Sequence, residues 1–339
     1  MSEDPIDPPI GGLPAPRETP RVVGHRAARD IVTSAWRDGR LHHALLLTGA
    51  RGIGKATLAY AIARMVIDES ASLDDNAEGR AYRQIAGGAC QSFRRLARGI
   101  SKEGKVRTSI GVDEVRALAP FLRQRLDAGA WRVVLVDAVD DLNPNSANAL
   151  LKILEEPGDR TLFLLAAHSE AAALATIRSR CTALRLDALT DAEMREVLAE
   201  SALDQSAIDA ALPKAEGSVR RAVLLAESGG AEALAEIEAL LRKPVWSIED
   251  AQAITERVSL RADDVLFDVL ADGLSALLAR KAVAAAGEKR GAEAARLSEL
   301  ASRTTSDLAL KDEYGVDRRL ALRGTLSRVH AAMWPDRSG

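Results

Sequence analysis

The chain has 339 residues, 47% hydrophobic and 28% charged, a globular balance that excludes a wholly disordered polypeptide and fits two or three domains. Aromatic residues make up only 3%, so Leu, Val, Ile and Ala must fill the core, which favours helices and buried parallel strands over an all-β sandwich. A net charge of -3 argues against a stand-alone, charge-driven binder of nucleic acid. The two cysteines, Cys90 and Cys181, make no disulfide framework and neither has a CxxC neighbour. The chain therefore reads as a reduced, cytoplasmic protein. No apolar run reaches the ~18 residues of a membrane helix, so no membrane partner is expected.

Residues 1–20 are acidic and Pro-rich, with no apolar core of a signal peptide, and are expected to be a disordered tail. From 21 to 187 short apolar runs alternate with helical stretches. Strands are predicted at 44–48, 132–136 and 161–167. Helical spacing runs through ATLAYAIARMVID, and the helix SANALLKILEE is stopped by Pro157 and Gly158. Such alternation predicts an α/β domain with a parallel sheet and right-handed crossovers. After Asp187 the strand signals stop. Thr190 and Glu193 read as a capping box opening a small helical module over 188–243. Pro244 disfavours helix at Lys243, which marks a boundary, and 244–339 reads as a helical, Ala-rich domain.

The segment Gly49-Ala50-Arg51-Gly52-Ile53-Gly54-Lys55-Ala56 fits G-x-x-x-x-G-K between a strand and a helix, the core of a Walker A loop. Gly49, Gly52 and Gly54 let the backbone curl its N–H groups toward phosphate oxygens, and the helix N-terminus adds positive potential. Lys55 is expected to reach the outer phosphates. The hydroxyl that should follow it, to ligate Mg²⁺, is replaced by Ala56. Thr57 is rotated by ~100° along the helix and does not substitute. Asp137 ends the second strand as a Walker B acid, but the next residue is Ala138, which cannot orient or deprotonate water. Asp140 and Asp141 read as a solvated helix start. Two catalytic elements are thus missing, and little or no intrinsic ATPase is expected.

Five segments, in this order, resemble a bacterial clamp-loader subunit of the AAA+ class: HHALLLTG at 42–49, the loop GARGIGK, VVLVDAVDDL, SANALLKILEEP at 146–157 and TIRSRC at 176–181. The likeness runs from about Val22 to Leu241. Within the group the chain resembles the delta-prime kind of DNA polymerase III, because the alternative, the ATP-hydrolysing gamma/tau kind, keeps the Walker hydroxyl and the Walker B Glu. The resemblance implies an AAA+ P-loop domain, a helical lid and an all-α collar that drives oligomerisation. It implies a ring with gamma/tau and delta subunits that loads the sliding clamp on primed DNA. Arg180 of the SRC triplet is implied as an arginine finger acting in trans on a neighbour's ATP. Arg220, in Gly217-Ser218-Val219-Arg220, is implied as the lid arginine facing nucleotide. His168 and Ser169 fall at the sensor place after the third strand, and Val22–His25 at the adenine box. No cofactor is expected to be required, although the loop can still hold ATP or ADP. The zinc module of many relatives is lost here, since only Cys90 stands in that region. The basic stretch Arg94 to Arg107 reads as a solvated loop rather than a DNA contact.

Overall fold

The computed structural model describes residues 9–70, 72–73, 79–100, 106–124, 129–168, 173–261, 264–309 and 318–334. They divide into two compact units. One takes the chain up to Ser201 together with Gly217–Arg220, and the other takes Ala202–Glu216 and Arg221 onward.

The first unit is built on a five-stranded parallel sheet. Its strands are β1 (Ala44–Thr48), β2 (Phe93–Leu96), β3 (Arg132–Asp137), β4 (Thr161–Ala167) and β5 (Thr182–Arg185), in the order β2-β3-β4-β1-β5. β1 and β4 are buried along their whole length. Their sequences ALLLT and TLFLLAA are apolar on both faces, as strands covered on both sides require. One face packs on helix α2 (Lys55–Ile67), through Leu58, Ile62 and Met65 against Leu45, Leu135 and Leu164. The other packs Leu150 and Leu154 of the helix Pro144–Glu155 against Leu46, Val134 and Phe163. That helix starts as its sequence dictates: Pro144 opens it and the Asn143 side chain accepts from the Ser146 N–H.

The two outer strands were not anticipated from sequence. FRRL and TALR carry arginines, and β2 corrects the expectation of a solvated loop at Arg94–Arg107. Arg94 lies over the Phe121 ring, Arg95 pairs with Asp137, Arg98 with Asp141 and Arg107 with Glu114. Residues 101–105 of that stretch lie outside the described residues.

The N-terminal segment also departs from expectation. Residues 1–8 lie outside the described residues, but within 9–20 Leu13 and Ala15 are buried. The reason is Arg64, only 1% exposed on α2. Its guanidinium donates to the Thr19 carbonyl at 2.9 Å and lies over the Tyr82 ring, whose hydroxyl donates to the Glu18 carbonyl at 2.7 Å. Burial without a carboxylate brings Arg64 down to about 10 from its ordinary value.

The second unit is helical among its described residues. Leu225, Ile237, Phe267, Leu270, Leu322 and Leu326 belong to one apolar core that spans the chain from Ala211 to Val329. The boundary expected at Lys243–Pro244 lies inside this unit. The His330 ring bonds the Lys243 carbonyl at 2.8 Å and the Trp334 N–H donates to the Leu241 carbonyl at 3.1 Å.

Candidate functional site

The phosphate loop joins β1 to α2, and its glycines do what their positions demand. Gly52 has φ 74° and Gly54 has φ 106°. A Cβ on Gly52 would stand 2.4 Å from Ser218 Oγ and 2.5 Å from Arg220 Cβ, and one on Gly49 2.5 Å from the Leu186 carbonyl oxygen.

Four of the loop's carbonyls are satisfied from within the chain. Lys55 Nζ donates to Gly49 O at 2.8 Å and Ala50 O at 2.7 Å. The Arg220 N–H donates to Gly52 O at 3.4 Å, and the His25 Nε2–H to Ile53 O at 2.7 Å. Lys55, expected to reach outward, is instead buried and turned back on its own loop. Desolvation brings it down to about 8, with Asp137 and Asp140 partly restoring the charge. His25 is likewise pushed down chiefly by burial. Val22 is buried beside it, so the Val22–His25 segment is a brace for the loop, a role its sequence did not announce.

At the ends of β3 and β4 every acid is engaged. Arg95 Nη2 lies 2.8 Å from Asp137 Oδ2, with the two side chains 9% and 20% exposed. Asp140 and Asp141 occupy a short 3-10 turn and are not a solvated helix start. Asp140 accepts the His168 N–H at 3.0 Å, and Asp141 lies 3.2 Å from Arg98. His168 Nε2 accepts from Arg51 Nε at 2.8 Å. A neutral ring then carries its proton on Nδ1, which is buried without a hydrogen-bond partner. Burial and the nearby Arg51 and Lys55 charges push His168 below its ordinary value. Ser169 lies outside the described residues.

Asp137 thus comes to the loop with Lys55, as the sequence predicted, and Arg220 reaches Gly52 through its backbone and Cβ, while the residue itself is exposed. Arg180 stands apart. It follows the short helix Ala175–Arg178 and stands two residues before β5, so it lies where the strands begin, whereas the loop lies where they end. Four residues of strand, about 13 Å at about 3.3 Å each, separate the level of Thr182, paired beside Leu45, from Gly49. Arg180 Nη2 donates to Glu155 Oε1 at 2.6 Å and Nη1 to the Thr176 carbonyl at 2.9 Å. Cys181, beside it, is half-buried and its thiol is pushed up to about 11 by burial.

A magnesium nucleotide does not fit these residues. Ala56 offers a methyl where an oxygen ligand belongs, Asp137 is held by Arg95, and Ala138 is 2% exposed and chemically inert.

Residues 24–190 match the family model described as DNA polymerase III, delta subunit. The DNA polymerase III subunit delta' of Yersinia pestis is 37% identical over 149 residues, 42% of this chain and 41% of that protein. Over this segment the chain is similar to DNA polymerase III subunit delta'. The delta' of Escherichia coli K12 is 34% identical over 151 residues, 44% of each chain. The gamma subunit of Buchnera aphidicola (strain Sg) is 30% identical over 220 residues, 62% of this chain and 58% of that one. The chain thus spans about two fifths of the length of the delta' relatives it matches. The five-stranded parallel sheet with its covering helices is the α/β domain expected from the sequence.

Three contributors escaped the sequence. Arg95 was read as part of a basic loop, Glu155 as part of a helix end, and Arg51 was given no role. Only the strand register that sets Arg95 beside Leu135, two residues before Asp137, reveals the first.

Proposed function

We propose that this chain is a delta-prime-like subunit of a DNA polymerase III clamp loader, a structural and activating member rather than a motor. It assembles with gamma/tau-type and delta-type subunits into the ring that places the sliding clamp on primed DNA. It turns over little or no ATP itself, requires no cofactor or zinc, and offers Arg180 to the ATP of a neighbouring subunit.

The observation that carries this reading is the placement of Arg180 at the end of the sheet remote from its own loop. An arginine so placed cannot reach phosphates held by Gly49–Lys55, yet it stands half-exposed where a neighbour can approach. In a partner's site the guanidinium would stabilise charge developing on the γ-phosphate, an effect worth about 10³–10⁵ in rate in GTPases. The gamma/tau alternative is disfavoured by Ala56 and Ala138, which remove the metal ligand and the water-orienting acid.

The test compares Arg180→Ala with Arg178→Ala in reconstituted assemblies of equal composition. Arg180→Ala should depress clamp loading strongly and ATP turnover partially, with nucleotide affinity little changed. Equal, mild effects from both substitutions would reduce Arg180 to a surface arginine. Turnover near about 1 s⁻¹, an ordinary enzyme rate, by the isolated chain would restore the motor reading.

A further inference from the structure

We propose that Arg95 occupies the place beside Asp137 that a divalent cation takes in a hydrolytic phosphate loop, so that the metal accompanying a nucleoside polyphosphate is refused here. The inference rests on reading Gly49–Lys55 as a phosphate loop and names how its metal is refused.

The arrangement follows from strand register. β2 and β3 are parallel neighbours, with Arg95 beside Leu135 and Leu96 beside Val136. Side chains alternate along a strand, so Leu135 and Asp137 share a face. Phe93, two residues before Arg95, packs in the same core as Leu135 and α2, whereas Leu96 packs in the opposite one. Arg95 and Asp137 therefore project on the side where α2 begins, and α2 begins with Lys55. Two cations converge on one carboxylate: Arg95 by a direct 2.8 Å contact and Lys55 through space.

The Arg95 contact differs from the surface ion pairs elsewhere on the chain. Its side chain is 9% exposed and that of Asp137 20%, so water competes weakly for either. Magnesium at such sites needs a carboxylate, substrate oxygens and waters in a near-octahedral shell. Here the carboxylate oxygen is held by a donor that cannot itself be a ligand, and the hydroxyl ligand is absent at Ala56. Restoring that hydroxyl alone therefore leaves the metal excluded. Arg95 is the second barrier, and the sequence motif does not contain it.

The experiment measures Mn²⁺ uptake in the presence of ADP from the loss of the free-ion electron paramagnetic resonance signal. Mn²⁺ uses the same oxygen ligands as Mg²⁺. Four forms of the full chain are compared: wild type, Ala56→Thr, Arg95→Met with Ala56→Thr, and Arg95→Gln with Ala56→Thr. Circular dichroism and thermal unfolding establish that each is folded. Wild type and Ala56→Thr should take up no ADP-dependent Mn²⁺. The two double variants should take up about one ion per chain, as a single oxygen-lined site allows. The Gln form keeps a side-chain amide donor without the charge, so it guards against failure of the Met form to fold.

Uptake by Ala56→Thr alone would overturn the role of Arg95 and leave the non-hydrolytic reading standing. Folded double variants that take up no ion would overturn it as well. Uptake by the wild type together with ATP turnover would sink both this inference and the reading on which it rests.

Discussion

Replacing Lys55 with Met should change how stability depends on pH, by an amount fixed by the lysine's burial. Lys55 has an ordinary value of 10.5 and is brought down to about 8 in the folded loop. At about 1.36 kcal/mol per pH unit, a proton on Lys55 costs the folded state about 3 kcal/mol relative to the unfolded chain. Below pH 8 both states are protonated and the whole cost is present. Between 8 and 10.5 the unfolded chain keeps the proton and the folded loop gives it up. The unfolded state then binds more protons, so stability rises with pH across that window. From about pH 7 to about pH 9.5 the wild type should gain about 2 kcal/mol over the Lys55→Met variant. The variant's loss of the hydrogen bonds to Gly49 O and Ala50 O costs the same at both pH values and cancels in this comparison. Urea unfolding followed by tryptophan fluorescence provides the measurement. Trp36 and Trp131 meet edge to face at 5.4 Å within the first unit. Changing Trp246 and Trp334 to Phe in both proteins confines the signal to that pair. Parallel pH profiles for the two proteins would refute the argument, because they would mean that Lys55 titrates alike folded and unfolded.

Gly52→Ala should cost about 2–4 kcal/mol, combining a left-handed backbone at φ 74° with the overlap on Ser218 and Arg220. Gly39→Ala is the control: its φ is 65° but a Cβ there meets nothing within 4 Å, so about 1 kcal/mol is expected, and equal losses at the two sites would discredit the packing argument. Thr190→Ala removes a capping box in which Thr190 Oγ1 accepts the Glu193 N–H and Glu193 reaches back to the Thr190 N–H. It should lower the urea midpoint by the equivalent of about 1 kcal/mol, and an unchanged midpoint would show that the box is ornamental.

What could be read in advance was what each segment states by itself. β1, β3 and β4 announce themselves because central strands buried on both faces are runs of aliphatic residues. The phosphate loop announces itself through glycine spacing, and the helix at Asp191 through Thr190 and Glu193. β2 and β5 were hidden because an outer strand tolerates arginine, and FRRL and TALR read as charge before they read as strand. The partners of the site residues were hidden for another reason. Arg95 with Asp137, His25 with Ile53 and Arg180 with Glu155 are joined across 25 to 42 positions of chain, and a pattern confined to one segment carries no trace of such pairs. Arg64 is the extreme case. A buried arginine would have prompted a search for a carboxylate, yet its partners are a tyrosine ring and backbone carbonyls of the segment taken for a tail.

The central position of β1 has a consequence for synthesis. Ala44 pairs with Phe163 and Leu45 with Thr182, so both edges of the strand wait for sequence made far later. At about 5–20 residues per second, the roughly 120 to 140 intervening residues take on the order of 6 to 28 s. Throughout that interval ALLLT is an unpaired aliphatic ribbon, the kind of segment that pairs with another chain when it meets one. The nascent chain is therefore most vulnerable to aggregation before β4 and β5 emerge from the ribosome, and any arrest of translation between residues 48 and 161 prolongs that exposure.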